Sequence, residues 1–139
     1  MISASETLER ELGKLLTVDP ELQTLFGSIT VPVFSYISET QQLPYIVYNE
    51  TRMESWDDDT RQGGDHTILI TVRSAGESEA FVKTALSRIR CLWNRCEHRV
   101  QIFPYTFVMM NFNVADVSQE ADGQAYRATA QYRAITGGH

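Results

Sequence analysis

From His66 to Arg73 the chain alternates without a break. His66, Ile68, Ile70 and Val72 fall on one side, and Thr67, Leu69, Thr71 and Arg73 on the other. A period of two over this length marks a strand with one face in a core and the other mostly wet. The period then changes abruptly. Phe81, Ala85, Ile89 and Leu92 recur at helical spacing, widened by Val82, Leu86 and Trp93. Lys83, Arg88, Arg90 and Arg95 gather in the C-terminal half of that stretch, where cations complement the helix dipole. Ser74 and Glu77 stand at capping-box spacing between the two. A strand joined this closely to a long amphipathic helix lays that helix back over its own sheet, so the remaining chain must supply further strands.

It does so on both sides. Ser3 and Glu6 have capping-box spacing, and Leu8, Leu12, Leu15 and Leu16 form a narrow stripe, which predicts a surface-lying helix from Ala4. Asp19-Pro20 opens a second short helix with Leu22, Leu25 and Phe26 inward and Gly27 as its stop. Val31, Val33 and Tyr36 begin a β region that Pro32 demotes to an edge. Pro44 to about Glu54 reads as a long strand, Ile46, Tyr48 and Thr51 being separated by Val47 and Asn49, followed by a long polar loop from Ser55 to Gly64. Beyond Glu97, Val100, Ile102 and Phe103 predict a short strand before Pro104. Val108, Met110, Phe112 and Val114 predict another. A turn over Glu120–Gln124 leads into a last strand with Tyr126, Ala128, Ala130, Tyr132 and Ala134 on one face, and Thr136 to His139 reads as a loose tail.

The order α-α-β-β-β-α-β-β-β gives an α+β domain: a mostly antiparallel β-sheet with a long helix and an N-terminal helical segment packed on one face. One domain covers 1–139, with helices in 1–27, strands in 30–74, the main helix in 75–95 and C-terminal strands in 98–136.

The chain has 139 residues and a net charge of −6. That length suits one domain with a real core. That charge argues against gripping nucleic acid, which needs a basic face to displace counterions, but allows a surface that DNA slides past. No apolar run is long enough to span a bilayer, and no secretory apolar region is expected at the N-terminus. Cys91 and Cys96 make a poor zinc motif and read as reduced thiols, a disulfide being open to them only if the helix ends between them.

No residue set selects a chemistry. Asp57-Asp58-Asp59, with Asp65 and His66 nearby, lacks the alternating ligand spacing of a calcium loop; a solvated loop or a charged contact for a neighbouring subunit fits better. His66 reads as a hydrogen-bonded structural histidine. Gly63-Gly64 and Gly137-Gly138 lack a phosphate-loop pattern, and no cofactor is implied. Arg73, Arg127 and Arg133 are expected to share one polar sheet face, which could touch DNA, pair with acids of an adjacent subunit or simply face solvent. Tyr45, Tyr48, Trp56, Tyr105, Tyr126 and Tyr132 supply amphipathic rings suited either to interfaces or to the core.

Leu43-Pro44-Tyr45, Gly64 and His66 opening a strand, Ile70-Thr71-Val72-Arg73-Ser74, Gly76, Glu79-Ala80, Ile89-Arg90 and Leu92 occur in an order and spacing that resembles the tail terminator, or tail-completion, proteins of long-tailed bacteriophages and related gene transfer particles. The resemblance implies a non-enzymatic structural protein of the virion tail or neck, assembled in the bacterial host cytoplasm. It implies a hexameric ring that contacts the tail tube protein below and a head-connector protein above, with DNA passing through the lumen and no membrane partner. Its expected subunit or tail-tube contacts are Trp56, Asp57, Asp58, Asp59, Arg73, Arg127 and Arg133. Another neck or tail component (a connector or tube subunit), or a small non-viral ligand-binding or enzymatic domain, are the alternatives.

Overall fold

The computed structural model describes residues 3–35, 42–55, 63–74, 79–120 and 125–138. Helix α1 spans Ala4–Thr17, and the Ser3 hydroxyl caps it by accepting from the Glu6 N–H at 3.1 Å. Leu8, Leu12 and Leu16 are fully buried along its inner stripe. Helix α2 spans Pro20–Phe26; the Asp19 carboxylate accepts from the Leu22 N–H, and Gly27 ends the helix with φ +65°, a left-handed conformation that glycine adopts without steric cost. Asp19 also receives two hydrogen bonds from Arg88, at 2.9 and 2.7 Å. One carboxylate therefore caps α2 and ties it to the long helix.

Five strands form one sheet: β1 Val33–Phe34, β2 Tyr45–Ser55, β3 Gly64–Arg73, β4 Thr106–Gln119 and β5 Tyr126–Gly137, in the order β1-β2-β3-β5-β4. Only the β1–β2 pair is parallel; β2–β3, β3–β5 and β5–β4 are antiparallel. Helix α3, Glu79–Trp93, lies over the sheet beside α1. The α+β reading and the helix-covered, mostly antiparallel sheet hold. Strand β3 alternates strictly, with Gly64, His66, Ile68, Ile70 and Val72 buried. Among the described residues no helix is long and apolar enough to cross a membrane.

Trp93 sits where the layers meet. Its ring packs edge-on to Tyr48 of β2 at 5.9 Å and to Tyr132 of β5 at 5.2 Å. Its indole N–H donates to the Leu12 carbonyl of α1 at 3.1 Å. Ala128, Ala130 and Ala134, all buried on β5, keep that strand's surface low enough for Val82, Ala85 and Ile89 of α3 to pack close.

Three expectations need correction. The strand around Val100, Ile102 and Phe103 does not form. Cys96–His98 makes one 3-10 turn, and the segment to Tyr105 is irregular, closed by Tyr105 N–H to Ile102 C=O at 2.9 Å. Val100 and Ile102 are buried anchors of a loop while Phe103 is 84% exposed. No free ladder awaits them, because the outer side of β4 is taken there: the Met110 N–H donates to Glu97, the Met110 carbonyl accepts from Arg95 N–H, and the Phe112 N–H donates to Asn94.

In β4 itself, bulges between Phe107 and Met109 and between Phe112 and Val114 reset the alternation. Met110 is buried, but Val108 and Val114 are about half exposed rather than sharing its face. Ser74 continues the sheet: its hydroxyl accepts from the Tyr126 N–H and its own N–H donates to the Tyr126 carbonyl. Glu77 lies outside the described residues, and α3 begins at Glu79. Finally, Thr136 and Gly137 are not a loose tail but the end of β5, with Thr136 buried.

Replacing Trp93 with alanine should destabilise the domain by about 3–5 kcal/mol, and Trp93→Phe by clearly less, since an aromatic ring still fills most of the site while the hydrogen bond to Leu12 and part of the indole's volume are lost. Guanidinium unfolding of both variants checks this; equal losses would contradict the role assigned to the ring.

Candidate interface and the buried polar tie

The three arginines singled out by sequence do share the face turned away from the helices. Arg73 stands opposite Arg127, and Arg133 opposite Thr67. Two of them meet acids of their own chain. Arg133 grips Asp65 with contacts of 2.7, 2.9 and 3.2 Å, and those hydrogen bonds hold the Asp65 carboxyl below the usual carboxylate range against the cost of its partial burial. Arg73 bonds Glu120 at 2.8 Å and the Tyr45 hydroxyl, with its guanidinium 5.5 Å from the Tyr45 ring centroid. Arg127 is exposed and, among the described residues, has no acidic partner. The face is thus a set of internal ion pairs with one outward cation. Trp56, Asp57, Asp58 and Asp59 lie outside the described residues; the chain leaves β2 at Ser55 and re-enters β3 at Gly64, which pair with each other.

On the helix-covered side four elements meet at His66. Its Nδ1 lies 2.5 Å from Glu50 Oε1 and its Nε2 2.9 Å from Thr136 Oγ1, while the Ser5 hydroxyl of α1 donates to Glu50 Oε2 at 2.7 Å. Burial raises the Glu50 carboxyl, but the hydrogen bonds from His66 and Ser5 outweigh it and the net shift is downward. Carboxylate, imidazole and hydroxyl stand in the order of a hydrolytic triad. Here, however, His66 and Thr136 are each 1% exposed, so no substrate reaches the hydroxyl. The arrangement acts as a tie across α1, β2, β3 and β5. Gly64 is part of it: a Cβ there would lie 2.6 Å from His66 Nε2, so the imidazole occupies the space a side chain would need.

The structural reading of His66 stands; Glu50, its partner, was missed. The signal was present, since Glu50 is the next position in the two-residue period after Ile46 and Tyr48 and therefore faces the core. Cys91 is exposed and Cys96 buried, and both are free thiols although α3 does end between them. Burial pushes the Cys96 thiol up to about 12, which leaves it protonated and unreactive. Among the described residues no group of three His, Cys, Asp or Glu side chains is placed to hold a metal ion.

Because Asp19, Asp65 and Glu50 all have lowered folded-state pKa values, each contributes stability that is present above its unfolded pKa, about 4. That stability is lost as pH falls through the lower folded value. The stability curve should therefore drop steeply below about pH 4. Glu50→Gln should cost about 1–3 kcal/mol at neutral pH and make the acid limb shallower. Urea midpoints measured across the acid range decide this; an unchanged limb would show that Glu50 is not titrating in the fold.

Comparison with known proteins follows the fold closely. A chain in the virion of a native gene transfer agent particle superposes with a TM-score of 0.84, covering 99% of this chain and 100% of that one at 17% identity. That likeness concerns the fold. No curated protein sequence matches the chain significantly. The family model described as tail completion protein gp17 matches residues 10–137, and the chain therefore belongs to that family of structural virion-tail proteins.

Proposed function

We propose that this protein caps the end of a phage-type tail tube and joins the tail to the head, as a closed ring of six copies with DNA passing through the lumen. The observation that carries the reading is the tail-completion family match across residues 10–137. The gene transfer agent chain supports it, being a component of a virion with nearly the whole of this fold. The role is non-enzymatic and structural, as the family match suggests; the triad-like group at His66 is sealed in the core. Its partners are further copies of itself, the tail tube protein and a head-connector protein, met during assembly in the bacterial host cytoplasm.

The physical properties suit the task. A chain of net charge −6 whose Arg73 and Arg133 are already paired internally offers little to hold phosphates, so DNA can pass without sticking. Ring subunits meet through heterologous surfaces that close by rotation. We assign Trp56, Asp57, Asp58 and Asp59 to contact with a neighbouring subunit or the tail tube. Arg127, with Arg73 and Arg133 beside it, is a second contact face.

Replacing Asp57, Asp58 and Asp59 together with alanine should leave circular dichroism and the unfolding midpoint unchanged, while reducing head–tail joining in a reconstitution from purified heads and tails by at least about tenfold, the equivalent of roughly 1.4 kcal/mol at the contact. Normal joining by that variant would refute the assignment of this loop.

A further inference from the structure

The outer edge of the sheet is guarded along half its length and open along the rest. Strand β4 has 14 residues and, among the described residues, pairs only with β5. Around Met110 and Phe112 its outward backbone groups are met by Glu97, Arg95 and Asn94. Past the bulge at Asn113, the antiparallel alternation turns the backbone groups of Ala115 and Val117 outward, and residues 113–119 are all exposed. Between this edge and α3 runs a groove of about 260 Å³, lined by Lys83, Leu86, Arg90, Phe112, Ala115 and Val117.

Its floor is apolar and its rim is basic. The Arg90 guanidinium lies 4.1 Å from the Phe112 ring centroid, and among the described residues Arg90 has no carboxylate partner. Lys83 pairs with Glu79 one turn back on its own helix, both side chains being exposed, a bond weak enough to exchange. An open strand edge beside a basic, apolar groove fits an extended segment with an aromatic side chain and a run of acids.

We infer that this groove receives the Trp56-Asp57-Asp58-Asp59 segment of a second copy, the indole on the apolar floor and the carboxylates against Lys83 and Arg90. The inference rests on the ring reading and deepens it by naming the receiving surface. Ser55 and Gly64 close one end of the β2–β3 pair, whereas Val117 lies level with Val72, across Ala128, near the other end of the ten-residue strand β3. Phe112 lies level with Ile68, across Tyr132, so the groove runs from about 13 to about 26 Å along β3 from Gly64 at about 3.3 Å per residue. Donor and receiver are different surfaces of one subunit, so their pairing between copies is a head-to-tail contact, the kind that builds rings.

Two experiments on the full chain test it. In the first, the Asp57→Asn/Asp58→Asn/Asp59→Asn chain, isotopically labelled, is titrated with a synthetic peptide spanning residues 54–63. Amide shifts should cluster at Leu86, Arg90, Phe112, Ala115 and Val117, and adding Arg90→Ala should weaken the peptide by on the order of tenfold, as loss of one charge-assisted contact does. No shifts at millimolar peptide, or shifts mapping elsewhere, would overturn the inference. In the second, that loop variant is mixed with a Lys83→Ala/Arg90→Ala groove variant. Each alone should stay monomeric, and the mixture should stop at heterodimers, since only one of its two possible contacts is intact. A folded groove variant that assembles like the wild-type chain would overturn the groove while leaving the ring reading standing. A wild-type chain that fails to close rings even on tail tips would count against the ring reading itself.

Discussion

The last strand enters the middle of the sheet, and the rest of the domain depends on that placement. Strand β5 bonds β3 on one side and β4 on the other, so the sheet cannot close until the C-terminal residues arrive. Its inward face sets the thickness of the core. Three buried alanines admit α3, and the one large residue among them, Tyr132, stands against Trp93, which in turn holds α1 through the Leu12 carbonyl. Thr136 at its far end completes the polar tie at His66. A small-residue strand flanked by one aromatic anchor thus fixes the spacing of both layers.

The sheet's two edges are treated differently, and the difference bears on assembly. Strand β1 is two residues long and follows Pro32, which is a poor template for pairing. The first half of β4 is covered by the turn that follows α3, while its second half is left open beside a basic groove. Among the described residues, internal pairing has also absorbed Arg52, Arg73 and Arg133 on the outer sheet face and left Arg127 outward. What remains outward is a small, directional set of contacts on an acidic molecule, suited to joining copies in one orientation rather than to general adhesion.

Much of this was legible in the sequence where one force acts alone. The caps at Ser3 and Asp19 depend on local backbone geometry, and both form as their spacing dictates. The β3 alternation reflects burial on one face and survives intact. Reading failed where two arrangements leave the same pattern. Val100 and Ile102 are buried in a loop and mimic a strand, and what excludes the strand is the capture of β4's outer edge by Asn94, Arg95 and Glu97, residues close in space but 13 to 18 positions away in sequence. The hydrogen bond that ties the Ser74 hydroxyl to Tyr126, 52 residues on, leaves no mark in the local pattern. The ion pair Arg133–Asp65 needed the β3–β5 register, and Arg73–Glu120 also needed the position of the end of β4, which two bulges in that strand shift. The family resemblance carried the functional reading further than any single residue could, because the role lies in surfaces between copies.

The most direct test of the central claim is electron microscopy of the purified wild-type chain, alone and on isolated tail tips. The account predicts closed six-membered rings whose central opening passes duplex DNA, about 20 Å or more across on the scale set by the grooves of B-DNA. Open filaments, or rings too narrow for a duplex, would contradict it.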